Sequence, residues 1–169
     1  MRYLISLSIL LVFITFAFGE TNHYVTYQID EVSYEGYYVA ADKEAPFILL
    51  IHDWDGLTDY EIKRTHMLSE LGYSVFAADL FGAGIRPTKI EDKRQHTGEL
   101  YKDREKMRQL LYGALQEAKA RGANIKNGVA VGYCFGGAAV LELARAGADL
   151  KGFITFHGGL GYAGRSRLL

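Results

Sequence analysis

Gly132-Tyr133-Cys134-Phe135-Gly136-Gly137 stands directly after the apolar run Gly128-Val129-Ala130-Val131 and directly before a helical pattern. A G-x-C-x-G hexapeptide in that setting is a sharp strand-to-helix turn. Few folds accommodate one: the strand must end at the carboxyl edge of a sheet, and the helix must leave at once and pack back on a face. Glycines on either side of the cysteine remove the Cβ atoms that would crowd the bend. The turn lifts Cys134 above the rim of the sheet, where the amino end of a helix favours a thiolate. The competing interpretation is a Gly-rich turn enclosing a structural cysteine, since unpaired cysteines pack as small apolar groups.

The remaining patterning agrees with such a sheet. Tyr24 to Asp30 and Ser33 to Ala40 read as an antiparallel pair turning near Glu31-Val32. Phe47 to Ile51 and Tyr73 to Ala78 are continuous apolar runs, as strands covered on both faces require. A helix capped by Thr58 or Asp59 is expected through Leu71, with Gly72 as its stop. A loop rich in glycine and charge is expected from Asp79 to about Gly98, then one helix from Glu99 to Arg121. Within it, Lys102 to Lys106 reads as a solvated face laced with i,i+3 and i,i+4 pairs. The strand ending at Tyr133, a helix to Ala146 and a strand over Gly152 to Phe156 follow. Strands alternating with helices imply a mostly parallel, doubly wound α/β sheet with antiparallel N-terminal strands. Function in such a sheet sits at the carboxyl ends of the strands, on the loops beginning at His52, Asp79, Cys134 and His157.

Composition narrows the function classes. Arg2, the apolar stretch Tyr3 to Phe18 and the small-x-small triplet Ala17-Phe18-Gly19 read as an export signal over residues 1–19. Its apolar part is shorter than the roughly 20 residues of a membrane span, so no stable membrane anchor is expected after cleavage. The expected location is periplasmic or secreted. The 19 basic and 20 acidic residues leave a near-neutral chain with no electrostatic footprint for nucleic acid. The single cysteine excludes an internal disulfide, and the scattered histidines 23, 52, 66, 96 and 157 lack metal-ligand spacing. No metal and no cofactor is expected.

Four strand-end motifs together carry a resemblance. Ile51-His52-Asp53-Trp54-Asp55-Gly56-Leu57, Ala78-Asp79-Leu80-Phe81-Gly82, Gly132-Tyr133-Cys134-Phe135-Gly136-Gly137 and Phe156-His157-Gly158-Gly159 resemble, in order and spacing, the dienelactone hydrolase family. The resemblance implies a three-layer α/β-hydrolase-like fold over residues 20–160 and a small-molecule ester or lactone substrate. It implies Cys134 as nucleophile, with the backbone N–H groups of Phe135 and Trp54 as oxyanion-hole donors. It further implies that Asp53, standing where the family usually has the longer Glu, partners the resting thiol. Arg86 would hold a substrate carboxylate. The family continues with two strands bearing a catalytic Asp and His and a closing helix. Here residues 161–169 form a divergent tail, so the domain is expected to be incomplete, truncated at its C-terminus and lacking the last strands and helix.

The residues after Cys134 bear on activity. Only Glu142, Asp149 and His157 are available as acid and base. Glu142 falls inside the helix leaving the elbow, and Asp149 precedes a strand that puts it roughly 20 Å from Cys134. An ordinary Cys134-Asp149-His157 triad is therefore excluded, and activity is expected to be impaired. His157, one strand away from Cys134, is the candidate substitute base, oriented by Asp53. A final strand 152–156 with an open edge would favour self-association. Two further readings compete: a non-catalytic hydrolase-like domain that binds a ligand or partner, and a thiol redox role for Cys134, which lacks a resolving cysteine.

Overall fold

Alternation of buried and exposed residues sets the first hairpin. Tyr24–Ile29 (β1) and Val32–Val39 (β2) pair antiparallel, from Tyr24 opposite Tyr37 to Ile29 opposite Val32. The link is Asp30-Glu31, with φ of 48° and 64°, and not Glu31-Val32. Two consecutive positive φ values give a turn whose twist matches the strands it joins, which a turn one residue later would not. A computed structural model describes residues 23–161. The export signal expected over 1–19 lies outside the described residues, as does the divergent tail beyond Gly161.

Phe47–Ile51 (β3) and Ser74–Ala78 (β4) are buried at every position, and with Gly128–Tyr133 (β5) and Gly152–Phe156 (β6) they complete a six-stranded sheet. Its order is β1-β2-β4-β3-β5-β6. β2 runs antiparallel to β4, whereas β4, β3, β5 and β6 are mutually parallel. The mixed, doubly wound sheet with antiparallel N-terminal strands is the architecture expected from the sequence. Helix Asp59–Ser69 (α1) covers one face, where Ile62 and Leu68 meet Ile48, Leu50, Val75, Ala77 and Val131. Helices Arg104–Ala120 (α3) and Phe135–Arg145 (α4) cover the other, packing Met107, Leu111, Val140 and Leu143 on Phe47, Leu49 and Phe76. Each such side chain contributes about 1.5–3 kcal/mol by leaving water. Thr58 caps α1 in a reciprocal box: Tyr60 N–H donates to its hydroxyl, and Glu61 accepts its own N–H at 2.9 Å.

Three expectations between β4 and β5 are corrected. Part of the expected loop is a helix, Ile90–Lys102 (α2), and α3 is a separate helix beginning at Arg104. α2 buries only Thr97 and Leu100, so it carries no apolar period for the eye to find. Gly98, which resembles a stop, sits inside it. The break falls at Asp103, whose carboxylate accepts Lys106 N–H at 2.9 Å and so starts a new helix. Nor is Lys102 to Lys106 simply a solvated face: Arg104 lies 3.6 Å from the fully buried carboxylate of Glu142 on α4.

Candidate active site

The elbow is formed as its glycines require. Cys134 adopts φ 51° and ψ −112° between β5 and α4, a conformation that side chains rarely occupy. A Cβ on Gly132 would strike the carbonyl of Gly136, and one on Gly136 would strike the carbonyl oxygens of Ile51 and His52. The β3 loop and the start of α4 are therefore in backbone contact. Cys134 is half-buried, and its N–H donates to Phe156 C=O at 3.0 Å, which ties the bend to β6. No side chain caps α4. Neither Phe135 N–H nor Trp54 N–H has an acceptor among the described residues.

The β3 loop is braced from below. His52 is fully buried; its Nε2 accepts Leu80 N–H at 3.0 Å and its Nδ1 lies 2.6 Å from Asp53 C=O. Burial pushes its pKa down to about 4, so the ring is neutral. The 3.8 Å approach of His52 to Asp79 is accordingly not an ion pair. Asp53 accepts Asp55 N–H at 3.1 Å. Burial first, then the neighbouring Asp55, pushes Asp53 up to about 6. Asp55 shifts the other way: against its own burial, Asp53 and Lys93 favour its charged form. Trp54 is partly exposed, with Lys93 Nζ over its ring at 5.2 Å and 3.3 Å from Asp55. Lys93 belongs to α2, so sequence reading missed it along with its helix.

Asp79 directly follows β4 and is buried. Both oxygens cap the loop that follows, accepting Phe81 N–H and Gly82 N–H at 2.9 Å. Burial raises its pKa to about 6 against those bonds and the nearby Arg86. Arg86 itself is engaged: it donates to Glu35 at 2.8 Å and to Ile85 C=O at 2.8 Å, and lies 3.9 Å from Asp79. These bonds tie the loop to β2, so a substrate carboxylate would compete with Glu35 for the guanidinium.

The structure separates the remaining acids from Cys134. Glu142 is buried in α4 and held by Arg145 at 2.7 Å and Arg108 at 3.0 Å. Asp149 is exposed before β6, at the end of that strand opposite the elbow. His157 follows β6 at φ 45° and is exposed. Because Tyr133 pairs with Phe156 in register, Cys134 and His157 leave adjacent strands side by side. Tyr101 was not anticipated: it packs edge-on against Phe135 at 5.5 Å, and burial, then the neighbouring Cys134, raises its pKa. Among the described residues no cluster of side chains could hold a metal ion, and no helix is long and apolar enough to cross a membrane.

The sequence profile of the dienelactone hydrolase family matches residues 34–167. The chain belongs to the dienelactone hydrolase family. Among solved structures it is similar to m3DLH, at 32% identity and a TM-score of 0.77, covering 82% of this chain and 59% of that one. A dienelactone hydrolase-like promiscuous phosphotriesterase from metagenomic libraries is 30% identical, with a TM-score of 0.74, covering 83% of this chain and 61% of that one. Est1E from Butyrivibrio proteoclasticus shares the fold at 15% identity and a TM-score of 0.54, covering 76% of this chain and 47% of that one. No curated protein matches the chain. This dienelactone hydrolase family member thus spans about 60% of the length of m3DLH and of the phosphotriesterase.

Proposed function

We propose that this chain is an exported ester or lactone hydrolase that works through Cys134, with acyl transfer to the thiol better supported than complete turnover. The observation that carries the reading is Cys134 held in a strained, half-buried elbow whose following turn is in backbone contact with the β3 loop, with neither Phe135 N–H nor Trp54 N–H taken by an acceptor among the described residues. Sulfur attacks the carbonyl carbon, and the carbonyl oxygen takes up negative charge between Trp54 N–H and Phe135 N–H. When the tetrahedral intermediate collapses, the C–O bond to the alcohol breaks and a thioester remains. Water then cleaves that thioester, a step that needs a base.

Base supply is the weak point. Both nitrogens of His52 are occupied, and Glu142 is locked among arginines. His157 is the histidine beside the elbow, and it is exposed with no carboxylate paired to it among the described residues. Asp53, half-buried and pushed up to about 6 by burial and then by Asp55, directly precedes Trp54 in the oxyanion loop and is the proposed partner of the thiol. The second step is therefore proposed to be impaired in this chain. The similarity to a promiscuous phosphotriesterase adds phosphotriesters to the substrates worth trying, because a P=O oxygen also develops charge under attack.

A p-nitrophenyl ester tests the reading on the 169-residue chain beside Cys134→Ser and Cys134→Ala. The expected result is a burst of p-nitrophenolate close to one equivalent, a slow steady rate, and an acyl mass increment on Cys134. Absence of the adduct, with rates equal in all three proteins, would leave a non-catalytic hydrolase-like binding domain.

A further inference from the structure

The two nitrogens of His52 are committed to two different loops. Nε2 receives Leu80 N–H at 3.0 Å and so carries no hydrogen; Nδ1 holds the ring proton and donates it to Asp53 C=O at 2.6 Å. That carbonyl shares its peptide plane with Trp54 N–H. The described chain has no cis peptide, so the two groups point in opposite directions. Anchoring Asp53 C=O on the buried ring thus directs Trp54 N–H away from it. The same ring stacks on Phe135 at 5.9 Å and 27° and meets Phe81 edge-on at 4.6 Å. One side chain therefore contacts the peptide of one oxyanion donor and the ring of the residue that supplies the other.

We propose that His52 is a positioning residue that holds the oxyanion hole open by preventing rotation of the Asp53–Trp54 peptide. This rests on the acyl-transfer reading above. A loop peptide without that anchor can turn over, and a turned peptide would present the Asp53 carbonyl, an acceptor, where negative charge develops. Oxyanion stabilisation depends on donors fixed before the reaction, so the brace acts on the transition state and not on the thiol. His52 exchanges no proton with substrate, because neither nitrogen is free.

The two functions of the ring are separable. In His52→Asn the amide Nδ2 replaces Nδ1 and can still donate to Asp53 C=O, while the bond from Leu80 is lost. In His52→Gln the amide lies at the reach of Nε2, keeps the Leu80 bond and cannot reach Asp53. Single-turnover acylation by p-nitrophenyl acetate is compared with alkylation by iodoacetamide, a displacement that creates no oxyanion. Alkylation should match wild type in both variants. Acylation should stay within about fivefold of wild type in His52→Asn and fall roughly 100-fold in His52→Gln, the usual scale for loss of one oxyanion donor. Equal losses in the two variants, or none in either, would overturn the positioning role while wild-type acylation upholds the reading beneath it. Wild-type protein that alkylates and never acylates would overturn both. Should His52→Gln fail to fold, His52→Asn decides alone: it must fold and acylate near the wild-type rate, and either failure overturns the proposal.

Discussion

Glu142, on the helix that leaves the elbow, has a fully buried carboxylate that Arg108 of α3 reaches at 3.0 Å. Arg145 meets its other oxygen at 2.7 Å and Arg104 approaches at 3.6 Å. The three guanidinium groups keep between 16% and 31% of their side-chain surface in water, whereas the carboxylate keeps none. This asymmetry makes the acid the member whose charge the cluster needs. It locks α4, and with it the elbow, against α3.

Glu142→Gln preserves shape and removes the charge, leaving three cations with a neutral partner. Loss of one member of a fully buried pair costs about 3–5 kcal/mol; because these arginines still reach water, roughly 2–3 kcal/mol is expected here. Urea denaturation would measure it. A midpoint within error of wild type would show that the cluster contributes nothing to stability.

Cys134 stores strain that a different residue would release. A non-glycine residue in such a region of backbone space costs about 1–3 kcal/mol, and glycine relieves that at the expense of about 0.5–1 kcal/mol of unfolded-chain entropy. Cys134→Gly should therefore be more stable than wild type by roughly 1 kcal/mol, while Cys134→Ala, which retains a Cβ at φ 51°, gains none of it. Thermal melts of the three proteins decide the matter. Equal melting temperatures for the Gly and Ala variants would mean the bend is unstrained.

Asp79 gives a pH dependence of definite sign. Its native pKa is raised to about 6, from about 3.9 in an unfolded chain, so between pH 4 and 6 the folded state binds more protons than the unfolded one. Its contribution to stability is complete below about pH 4 and is lost as pH rises through 6. Asp53, also raised to about 6, acts in the same direction. His52 opposes both: lowered to about 4 from about 6.5, it favours the folded state as pH rises over that window. The total profile is consequently shallow, and a variant is needed to expose one group. Wild type should lose stability relative to Asp79→Asn from pH 4 to 6, and the difference should level off above 7. A difference independent of pH would show that Asp79 ionises normally.

The parts of this architecture written in local sequence were legible. Apolar runs marked β3, β4 and β5 because strands covered on both faces leave no room for polar residues, and the glycines around Cys134 marked the elbow because backbone contacts there exclude Cβ atoms. What depends on partners distant in sequence was not. Glu142 and Arg108 are 34 positions apart, and nothing at either position announces the other. α2 escaped notice since its buried face consists of Thr97 and Leu100 alone, and Lys93 on Trp54 escaped with it. His52 was visible as a strand-end histidine, but its role follows from which nitrogen carries the proton, and that is fixed by Leu80 on another strand's loop.

The outer edge of β6 carries the last prediction. β6 pairs only with β5 among the described residues, and Ile154 and Phe156 keep 44% and 47% of their surface exposed. Tyr133 stacks on Phe156 at 4.9 Å, which extends the apolar strip across two strands. An unpaired parallel edge beside such a strip is a template for another strand, and a charge placed on it disfavours pairing. The 169-residue chain is therefore expected to self-associate with rising concentration in sedimentation velocity, and Ile154→Lys to shift it toward monomer. Ile154 already faces solvent, so the substitution should change stability by no more than about 0.5 kcal/mol. Because Cys134 N–H is tied to Phe156 C=O at 3.0 Å, pairing at this edge would also alter access to the thiol. Alkylation of Cys134 should accordingly slow with concentration in wild type and not in Ile154→Lys. Identical sedimentation of the two proteins would remove β6 as the contact surface.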